Sequence, residues 1–426
     1  MPHHFSRIIL LLFIYNLVST VHAQPVFPSN TDEAKVPAYN LPDVLKMKEG
    51  RIVKNASEWN NLQRPYIYNL YEQVQFGAYP KAKPSIRFKV IEEEEQALEG
   101  MATRRQVRIF LHPKNDSVSM DVLLYLPNKK GKSIPVFMGY NFSGNHSVQA
   151  DEKILLPHSW VDARTRGSIN NRATDSSRGS SSSQWQVKQI LAQGFGLVTA
   201  YYGDIEPDHK DGWKEGIRTS MKDVLSIEPG AWSAMGAWAY GLSRIMDYLQ
   251  KDPVIDASRI ALIGHSRLGK AALWAAASDP RFSLIISNES GEGGAALSKR
   301  WYGETVKIIN EKFPHWFGAR YKTYGDNTDS LPVDGHMLLA LIAPRPLYVA
   351  SAEGDTWSDP KGEFLGAREA GRVYALFGKK GIDQNNFPAL HKPVGHTVRY
   401  HVRAGKHDVT AYDWEQYLRF AKDHWK

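Results

Sequence analysis

Ser266 lies in a tight glycine turn between an apolar run and an alanine-rich stretch. Residues 259–277 read RIALIGHSRLGKAALWAAA, so Gly264 and Gly269 flank the serine. A sharp strand-to-helix turn crowds the backbone, and glycine fits there without a Cβ clash. The pattern is close to the G-x-S-x-G nucleophile elbow, with one extra residue before the second glycine. We predict a serine nucleophile at a helix N-terminus, where the partial positive charge favours an oxyanion. The alternative is a serine that caps an ordinary turn.

A serine nucleophile requires a base, and the base requires an acid that orients it. Enzymes with such an elbow carry these groups in the chain order serine, acid, histidine. His407 follows the alternating run 398–402 and precedes a helical stretch, so it is the predicted base, with His396 as its rival. Two acids follow predicted strands, Asp355 after residues 346–350 and Glu289 after residues 284–287. The usual position of the acid favours Asp355 slightly, and both acids stay open at this point.

The elements that must position these residues alternate between strands and helices. Residues 134–140 are almost continuously apolar, as expected for a strand that is buried on both faces. Such alternation indicates a mostly parallel central sheet with helices on both faces, the three-layer α/β-hydrolase architecture. The predicted strands are 107–112, 120–126, 134–140, 196–202, 260–263, 284–287 and 346–350, and the predicted helices are 59–76, 184–193, 232–249, 268–277, 362–377 and 411–425.

The first 23 residues have the layout of a secretory signal peptide. Arg7 precedes the apolar run 8–18, and Val21-His22-Ala23 forms a small-x-small cleavage pattern. We predict a secreted or periplasmic protein with no membrane attachment after cleavage. Residues 24–100 are predicted to be an N-terminal extension packed on a catalytic domain at 101–426. The chain has no cysteine, which excludes disulfides, a cysteine nucleophile and thiolate metal sites.

The distribution of charge and histidine bears on possible partners and metals. The formal charge of +8 arises from 53 basic and 45 acidic residues spread along the chain, which disfavours nucleic acid as a partner. No H-E-x-x-H motif occurs, and the histidines at 391, 396, 401 and 407 leave only a small opening for a metal. We predict an enzyme without metal or cofactor that acts as a monomer.

Five ordered motifs within residues 100–425 resemble the glucuronoyl esterases, carbohydrate esterase family fifteen. They are SRLGK at 266–270, NESGEGG at 288–294, LPVDGH at 331–336, ALIAPRPLYV at 340–349 and GDTWSDP at 354–360. Fungal relatives carry a cysteine before the serine, where this chain has His265, so the resemblance is to the bacterial branch. It implies hydrolysis of the ester between 4-O-methyl-glucuronate on xylan and lignin alcohols.

The resemblance also implies roles for individual residues of the reaction centre. It makes Ser266 the nucleophile and gives Arg267 a share in holding the oxyanion, through its side chain and its backbone N–H. It makes Glu289 the acid partner of His407, with Asp355 able to share that role. The family motif therefore moves the preferred acid from Asp355 to Glu289.

Three further residues are implied to contact the uronic-acid sugar: Lys270, Trp357 and Glu304. An ammonium, an indole N–H and a carboxylate can all hydrogen-bond sugar hydroxyls. Two other functions stay open. One is an acetyl esterase acting on plant polysaccharide, and the other is a carbohydrate-binding homologue that has lost catalysis.

Overall fold

A ten-stranded sheet runs through the computed structural model, which describes residues 29–128 and 133–425. The strand order is β1-β2-β3-β5-β4-β6-β7-β8-β10-β9, and the block from β5 to β10 is parallel. β1, β2, β3 and the short β9 add antiparallel edges. The strands are β1 Arg87–Ala97, β2 Ala102–His112, β3 Asn115–Pro127, β4 Ile134–Asn141, β5 Gly196–Tyr201, β6 Ile255–His265, β7 Leu284–Asn288, β8 Leu347–Ala352, β9 Val394–Gly395 and β10 Val398–Arg403.

Helices cover both faces of this sheet. Successive side chains of a strand point to opposite faces, so each apolar strand has two faces to bury. Val136 and Met138 of β4 belong to one apolar cluster, and Phe137 between them belongs to another. The predicted three-layer α/β architecture is therefore confirmed. The helices are α1 Ala56–Glu58, α2 Arg64–Tyr71, α3 Ser182–Trp185, α4 Val187–Ala192, α5 Ile217–Ser220, α6 Lys222–Leu225, α7 Ala234–Leu249, α8 Arg267–Ser278, α9 Val306–Lys312, α10 Ala319–Lys322, α11 Gly335–Ala340, α12 Pro360–Ala375 and α13 Ala411–His424, with π-helical turns at Trp59–Gln63 and Glu72–Phe76.

The helical segment 56–76 packs against α8, the helix that begins directly after Ser266. Tyr68 and Phe76 stack on Trp274 of α8, with ring centroids 4.8 and 4.6 Å apart. Arg64 donates a hydrogen bond of 2.6 Å to the carbonyl of Ala277 at the end of α8. A cation at a helix C-terminus is stabilised by the helix dipole. The predicted extension thus contacts the helix that carries the elbow.

Two sequence predictions concern the N-terminal part of the chain. The predicted signal peptide, residues 1–23, lies outside the described residues. The boundary predicted at residue 100 falls in the turn between β1 and β2, so the first strand of the sheet belongs to the predicted extension. Within residues 29–128 and 133–425, no helix has the length and apolar character needed to cross a membrane.

Candidate active site

Ser266 occupies a strained turn between β6 and α8. Its φ of +55° lies in a region that non-glycine residues avoid and that costs about 1–3 kcal/mol. A Cβ at Gly264 would overlap the backbone oxygen of Leu268, so the glycine is required for the turn to close. The backbone N–H of Ser266 donates to the carbonyl of Asn288 at 2.9 Å, which ties the turn to the end of β7. The local sequence therefore folds into the elbow that its glycines predicted.

Both predicted acids reach the same nitrogen of His407. Nδ1 of His407 lies 2.6 Å from Oδ2 of Asp355 and 3.0 Å from Oε2 of Glu289. Glu289 directly follows β7 and Asp355 lies just beyond β8, and these adjacent parallel strands end at the same edge of the sheet. His396, the rival base, lies elsewhere, with its ring 5.4 Å from that of His424. The tertiary structure thus brings one histidine and two carboxylates together, and the ring of His407 lies 4.4 Å from that of His265, the residue before Ser266.

The environments of the two carboxyls differ. Burial raises the pKa of Glu289 to about 7, although His407 and Arg403 pull it down. Burial acts to raise the pKa of Asp355, but the hydrogen bond and charge of His407, together with a hydrogen bond from Ser358, outweigh it and lower the pKa of that carboxyl. For His407, burial favours the neutral form, yet hydrogen bonds to Asp355 and Glu289 raise its pKa to about 9. At neutral pH Asp355 is the more fully ionised partner, and Glu289 titrates close to neutrality.

A buried ionic network that the sequence analysis missed holds Glu289 in place. Arg403, the last residue of β10, donates from Nη2 to Oε1 of Glu289 at 2.6 Å and from Nε to Asp413 at 2.8 Å. The other oxygen of Asp413 lies 2.9 Å from Nε2 of His401. The N–H of Asp408 donates to Oε2 of Glu289 at 3.0 Å. An arginine at the inward-facing end of the alternating strand β10, four residues before the histidine, was the available signal.

Arg267 is fixed by a carboxylate that the sequence analysis also missed. Nη1 of Arg267 donates to Asp208 at 2.6 Å, and Asp208 also accepts from the hydroxyl of Tyr202 at 2.8 Å. The indole N–H of Trp316 donates to the same carboxylate at 2.7 Å, and Nε2 of His315 lies 2.7 Å from it. Burial raises the pKa of Asp208, but His315 and Arg267 outweigh this and hold it well below its usual range.

The Nε of Arg267 takes no part in these contacts with Asp208. It is buried and has no hydrogen-bond partner within the part of the chain that the structure describes. An unpaired buried donor costs about 1–3 kcal/mol, so such a group is normally satisfied or functional. Arg267 stands next in the chain to Ser266 and its side chain is 26% exposed, so an oxyanion there would meet the accessible part of the guanidinium and not this covered nitrogen.

Lys270, Glu304 and Trp357, the three residues expected on the sugar side, lie together. Lys270 is buried and donates from Nζ to the carbonyl of Ser290 at 2.5 Å. Burial lowers its pKa, with Glu304 as the largest opposing charge. The backbone N–H of Glu304 donates to the carbonyl of Trp357 at 2.9 Å, and the indole hydrogen-bonds the Glu304 carboxylate. An ammonium, a carboxylate and an indole therefore border one small region.

The histidines that left an opening for a metal do not join into a separate site. His401 uses one ring nitrogen on Tyr348 at 2.8 Å and the other on Asp413. Among the described residues, the side chains with metal-ligand chemistry that come together are His265, Glu289 and His407, whose ligand atoms lie within 4.8 Å of one another. This group consists of the predicted base, one predicted acid and His265, and the Arg403 guanidinium on Glu289 disfavours a cation there.

An α/β sheet with a serine elbow and a histidine–carboxylate cluster at its carboxyl edge is the arrangement found in carboxylic-ester hydrolases of the α/β-hydrolase fold. The model of fungal glucuronyl esterases matches residues 228–378. The chain is 46% identical over 407 residues to the carbohydrate esterase MZ0003 of an unknown prokaryotic organism, covering 95% of this chain and 94% of that one. The chain belongs to the glucuronoyl esterase family, carbohydrate esterase family 15, as its motifs indicated.

Solved structures agree with this assignment. A glucuronoyl esterase from Solibacter usitatus is 54% identical, superposes with a TM-score of 0.87 and covers 92% of this chain and 100% of its own. A promiscuous esterase of the same family from a marine bacterial metagenome is 45% identical with a TM-score of 0.87, over 93% of this chain and 100% of its own. The 4-O-methyl-glucuronoyl methylesterase 1 of Phanerochaete chrysosporium is 39% identical over 157 residues, 34% of this chain and 33% of that one.

Proposed function

We propose that the protein hydrolyses esters of 4-O-methyl-glucuronic acid, including those that join glucuronoxylan to lignin alcohols. The observation that carries the proposal is the group of Ser266, Arg267 and His407 with two acids, together with the cluster of Lys270, Glu304 and Trp357. Relatives named as 4-O-methyl-glucuronoyl methylesterases, from several fungi, support the choice of substrate.

The proposed reaction follows the acyl-enzyme scheme. The Oγ of Ser266 attacks the ester carbonyl while His407 takes its proton, and Asp355 and Glu289 stabilise the imidazolium through Nδ1. The guanidinium of Arg267 and the backbone N–H that follows the serine hold the developing oxyanion. His407 then gives its proton to the departing alcohol. Water, deprotonated by His407, releases the uronic acid and restores the serine.

The sugar hydroxyls are proposed to bind beside this centre. Lys270 donates to them, Glu304 accepts from them, and the Trp357 indole offers both an N–H and an apolar face. Burial of Lys270 and Glu304 makes their hydrogen bonds strong, because a buried charged group gains most when it is fully satisfied.

Several properties of the whole protein belong to the same proposal. We infer that residues 1–23 direct export, that residues 24–100 stabilise the catalytic domain 101–426 through segment 56–76, and that the enzyme acts as a secreted or periplasmic monomer. The contact of Tyr68 and Phe76 with Trp274 on α8 supports the role of the extension.

Release of benzyl alcohol from benzyl glucuronate tests the substrate. The wild-type enzyme is expected to turn the ester over, and Ser266→Ala is expected to lose about 10⁴-fold or more in kcat. Turnover by Ser266→Ala at the wild-type rate would overturn the nucleophile. Good activity of the wild type on acetate esters, with none on uronate esters, would overturn the substrate and leave the mechanism intact.

A broader esterase is the second candidate. The 45% identical marine esterase is described as promiscuous, which favours a test of acetylated xylan beside the uronate ester. The ratio of kcat/KM for the two substrates decides between the candidates. Polysaccharide binding without turnover of either ester would instead indicate a non-catalytic homologue.

The contributions of Glu289 and Asp355 to the rate are measured with single and double variants. Glu289→Gln and Asp355→Asn keep the volumes of the side chains and remove one charge each. We expect both variants to lose activity and the double variant to lose most. If Asp355→Asn abolished activity while Glu289→Gln kept the wild-type activity, the preference for Glu289 that the family motif implies would be reversed.

A further inference from the structure

A short segment near the N-terminus, residues 29–33, contacts the loop that carries Glu304. We call this segment the N-terminal strap. The backbone N–H of Gly303 donates to the carbonyl of Asn30 at 2.7 Å, and the hydroxyl of Ser29 donates to the carbonyl of Gly303 across 274 positions of the chain. Both backbone polar groups of the residue before Glu304 are therefore bonded to the strap.

The carboxylate of Glu33 joins the same loop to the start of α12. One of its oxygens pairs with Arg300, whose side chain is only 3% exposed. The other oxygen accepts from Nζ of Lys361, the second residue of α12, at 2.6 Å. Nearby, the hydroxyl of Tyr302 donates to the carbonyl of Thr31 at 2.9 Å. The strap thus binds side chains as well as backbone groups.

The loops that carry Glu304 and Trp357 are fixed to each other. Nε of Arg300 donates to Asp359, the N-cap residue of α12, at 2.8 Å. The N–H of Glu304 donates to the carbonyl of Trp357 at 2.9 Å. A Cβ on Gly303 would overlap that same carbonyl, so the two backbones are in direct contact. Because Arg300 binds both Asp359 and the strap, the strap acts on both loops.

The loop of Glu304 depends on contacts from outside itself. Residues 301–305 lie between a short 3-10 helix that ends at Arg300 and the first residue of α9, and they form neither helix nor strand. Trp301 has a φ of +52°, in the left-handed region. A residue in that conformation persists only where the surrounding structure holds it. The strap supplies hydrogen bonds and a charge at this place.

We propose that the N-terminal strap positions Glu304 and Trp357 to bind the uronic-acid sugar, with Glu33 as a positioning residue. The inference rests on the proposed function, in which these two side chains contact the sugar. It gives residues 29–33 a role in substrate binding beyond support of the fold. Because the strap contacts lead to the sugar side of the site, their loss should weaken substrate binding and leave the chemical step nearly intact.

Kinetics of Glu33→Ala on benzyl glucuronate test the inference. Loss of a partly exposed ion pair should raise KM about fivefold and change kcat by less than about twofold. Glu33→Gln can still accept a hydrogen bond from Arg300, so it should recover part of the loss. Ser29→Ala removes one hydrogen bond to Gly303 and should raise KM about threefold. This small change keeps the inference testable if Glu33→Ala folds poorly.

Lys35→Gln is the matched control, because Lys35 belongs to the same short 3-10 helix as Glu33. Its side chain is 76% exposed and pairs with Asp32 at 3.4 Å. Both constants of this variant should equal those of the wild type. An equal rise of KM in Lys35→Gln, or a fall of kcat with unchanged KM in Glu33→Ala, would overturn the inference. Unchanged constants in both Glu33→Ala and Ser29→Ala would overturn it too.

Hydrogen exchange separates this inference from the proposed esterase activity, because it needs no substrate. In Glu33→Ala the amides of residues 301–305 should exchange faster than in the wild type, and in Lys35→Gln they should exchange at the wild-type rate. Faster exchange without turnover of uronate esters would support the positioning of Glu304 and overturn the proposed substrate. Turnover of uronate esters with unchanged exchange would overturn the role of the strap and leave the proposed function standing.

Discussion

Replacing Arg403 by glutamine tests whether this arginine keeps Glu289 ionised or only stabilises the fold. Arg403 is buried and binds two buried carboxylates, Glu289 at 2.6 Å and Asp413 at 2.8 Å. It also donates to the carbonyls of Lys406 and Asp408, at 3.1 and 2.5 Å, on either side of His407. The neutral amide reaches fewer of these acceptors, so both carboxylates lose their counter-charge.

The size of the effect follows from burial. Removing one partner of a buried ion pair costs about 3–5 kcal/mol of unfolding free energy. A chain of about 400 residues has an unfolding entropy near 0.8 kcal/mol/K, so Tm should fall by about 4–6 °C. Loss of the guanidinium also raises the pKa of Glu289 above the value of about 7 that it has in the native protein. Glu289 is then protonated at neutral pH and no longer stabilises the imidazolium.

The rate should change in a defined direction. With Glu289 neutral, the pKa of His407 falls from about 9, so the acidic limb of kcat/KM against pH moves to lower pH. Because Asp355 still contacts His407 at 2.6 Å, the loss at the plateau should be about tenfold, corresponding to one pKa unit or 1.36 kcal/mol. KM should change little, since the sugar contacts are elsewhere.

Pre-steady-state and pH–rate measurements on benzyl glucuronate, with thermal unfolding, test this reasoning. Arg399→Gln is the control on the same strand, because its pair with Asp423 at 2.8 Å is partly exposed and should contribute less than about 1 kcal/mol. If Arg403→Gln lowers Tm but keeps the wild-type pH profile and plateau, the arginine supports only the fold and the argument is refuted.

Three further substitutions address the remaining groups. Asp355→Asn removes the nearer charge from His407, so its pKa should fall and the acidic limb of kcat/KM should move to lower pH, as a pH–rate profile would show. Asp208→Asn weakens the anchor of Arg267, and kcat should fall about tenfold with little change in KM, because an oxyanion donor acts mainly in the transition state. Lys270→Met should raise KM for benzyl glucuronate about tenfold, as a buried charged hydrogen bond contributes about 1.5–3 kcal/mol.

Each of these outcomes can fail in a recognisable way. An acidic limb that stays in place in Asp355→Asn would mean that Glu289 alone sets the pKa of His407. A change in KM rather than kcat in Asp208→Asn would make Asp208 part of substrate binding. An unchanged KM in Lys270→Met would remove the lysine from the sugar site.

Much of the centre was predictable because it depends on local backbone geometry. Gly264 and Gly269 around Ser266, between an apolar run and an alanine-rich run, specify a strand, a turn and a helix within about 20 residues. The layered architecture was predictable for a similar reason, since it follows from strands and helices that alternate in the chain. The position of His407 between β10 and α13 is the same kind of local information.

The choice between acids could not be made locally. Glu289 and Asp355 each lie at the carboxyl end of a strand, and the sequence offered no distance from either to His407. In the folded chain β7 and β8 are neighbours, so both carboxylates arrive at one nitrogen, at 3.0 and 2.6 Å. The structure thus places both predicted acids on His407, and the variants Glu289→Gln and Asp355→Asn measure what each contributes.

The sequence by itself determined the elbow, the family and the kinds of residues at the centre, since these depend on short segments whose conformation is set by neighbouring residues. Only the tertiary structure decided what supports them. Arg403 meets Glu289 across 114 positions of the chain, and Arg267 meets Asp208 across 59. Such ion pairs depend on strand order and loop paths, because charges interact through space and not along the chain.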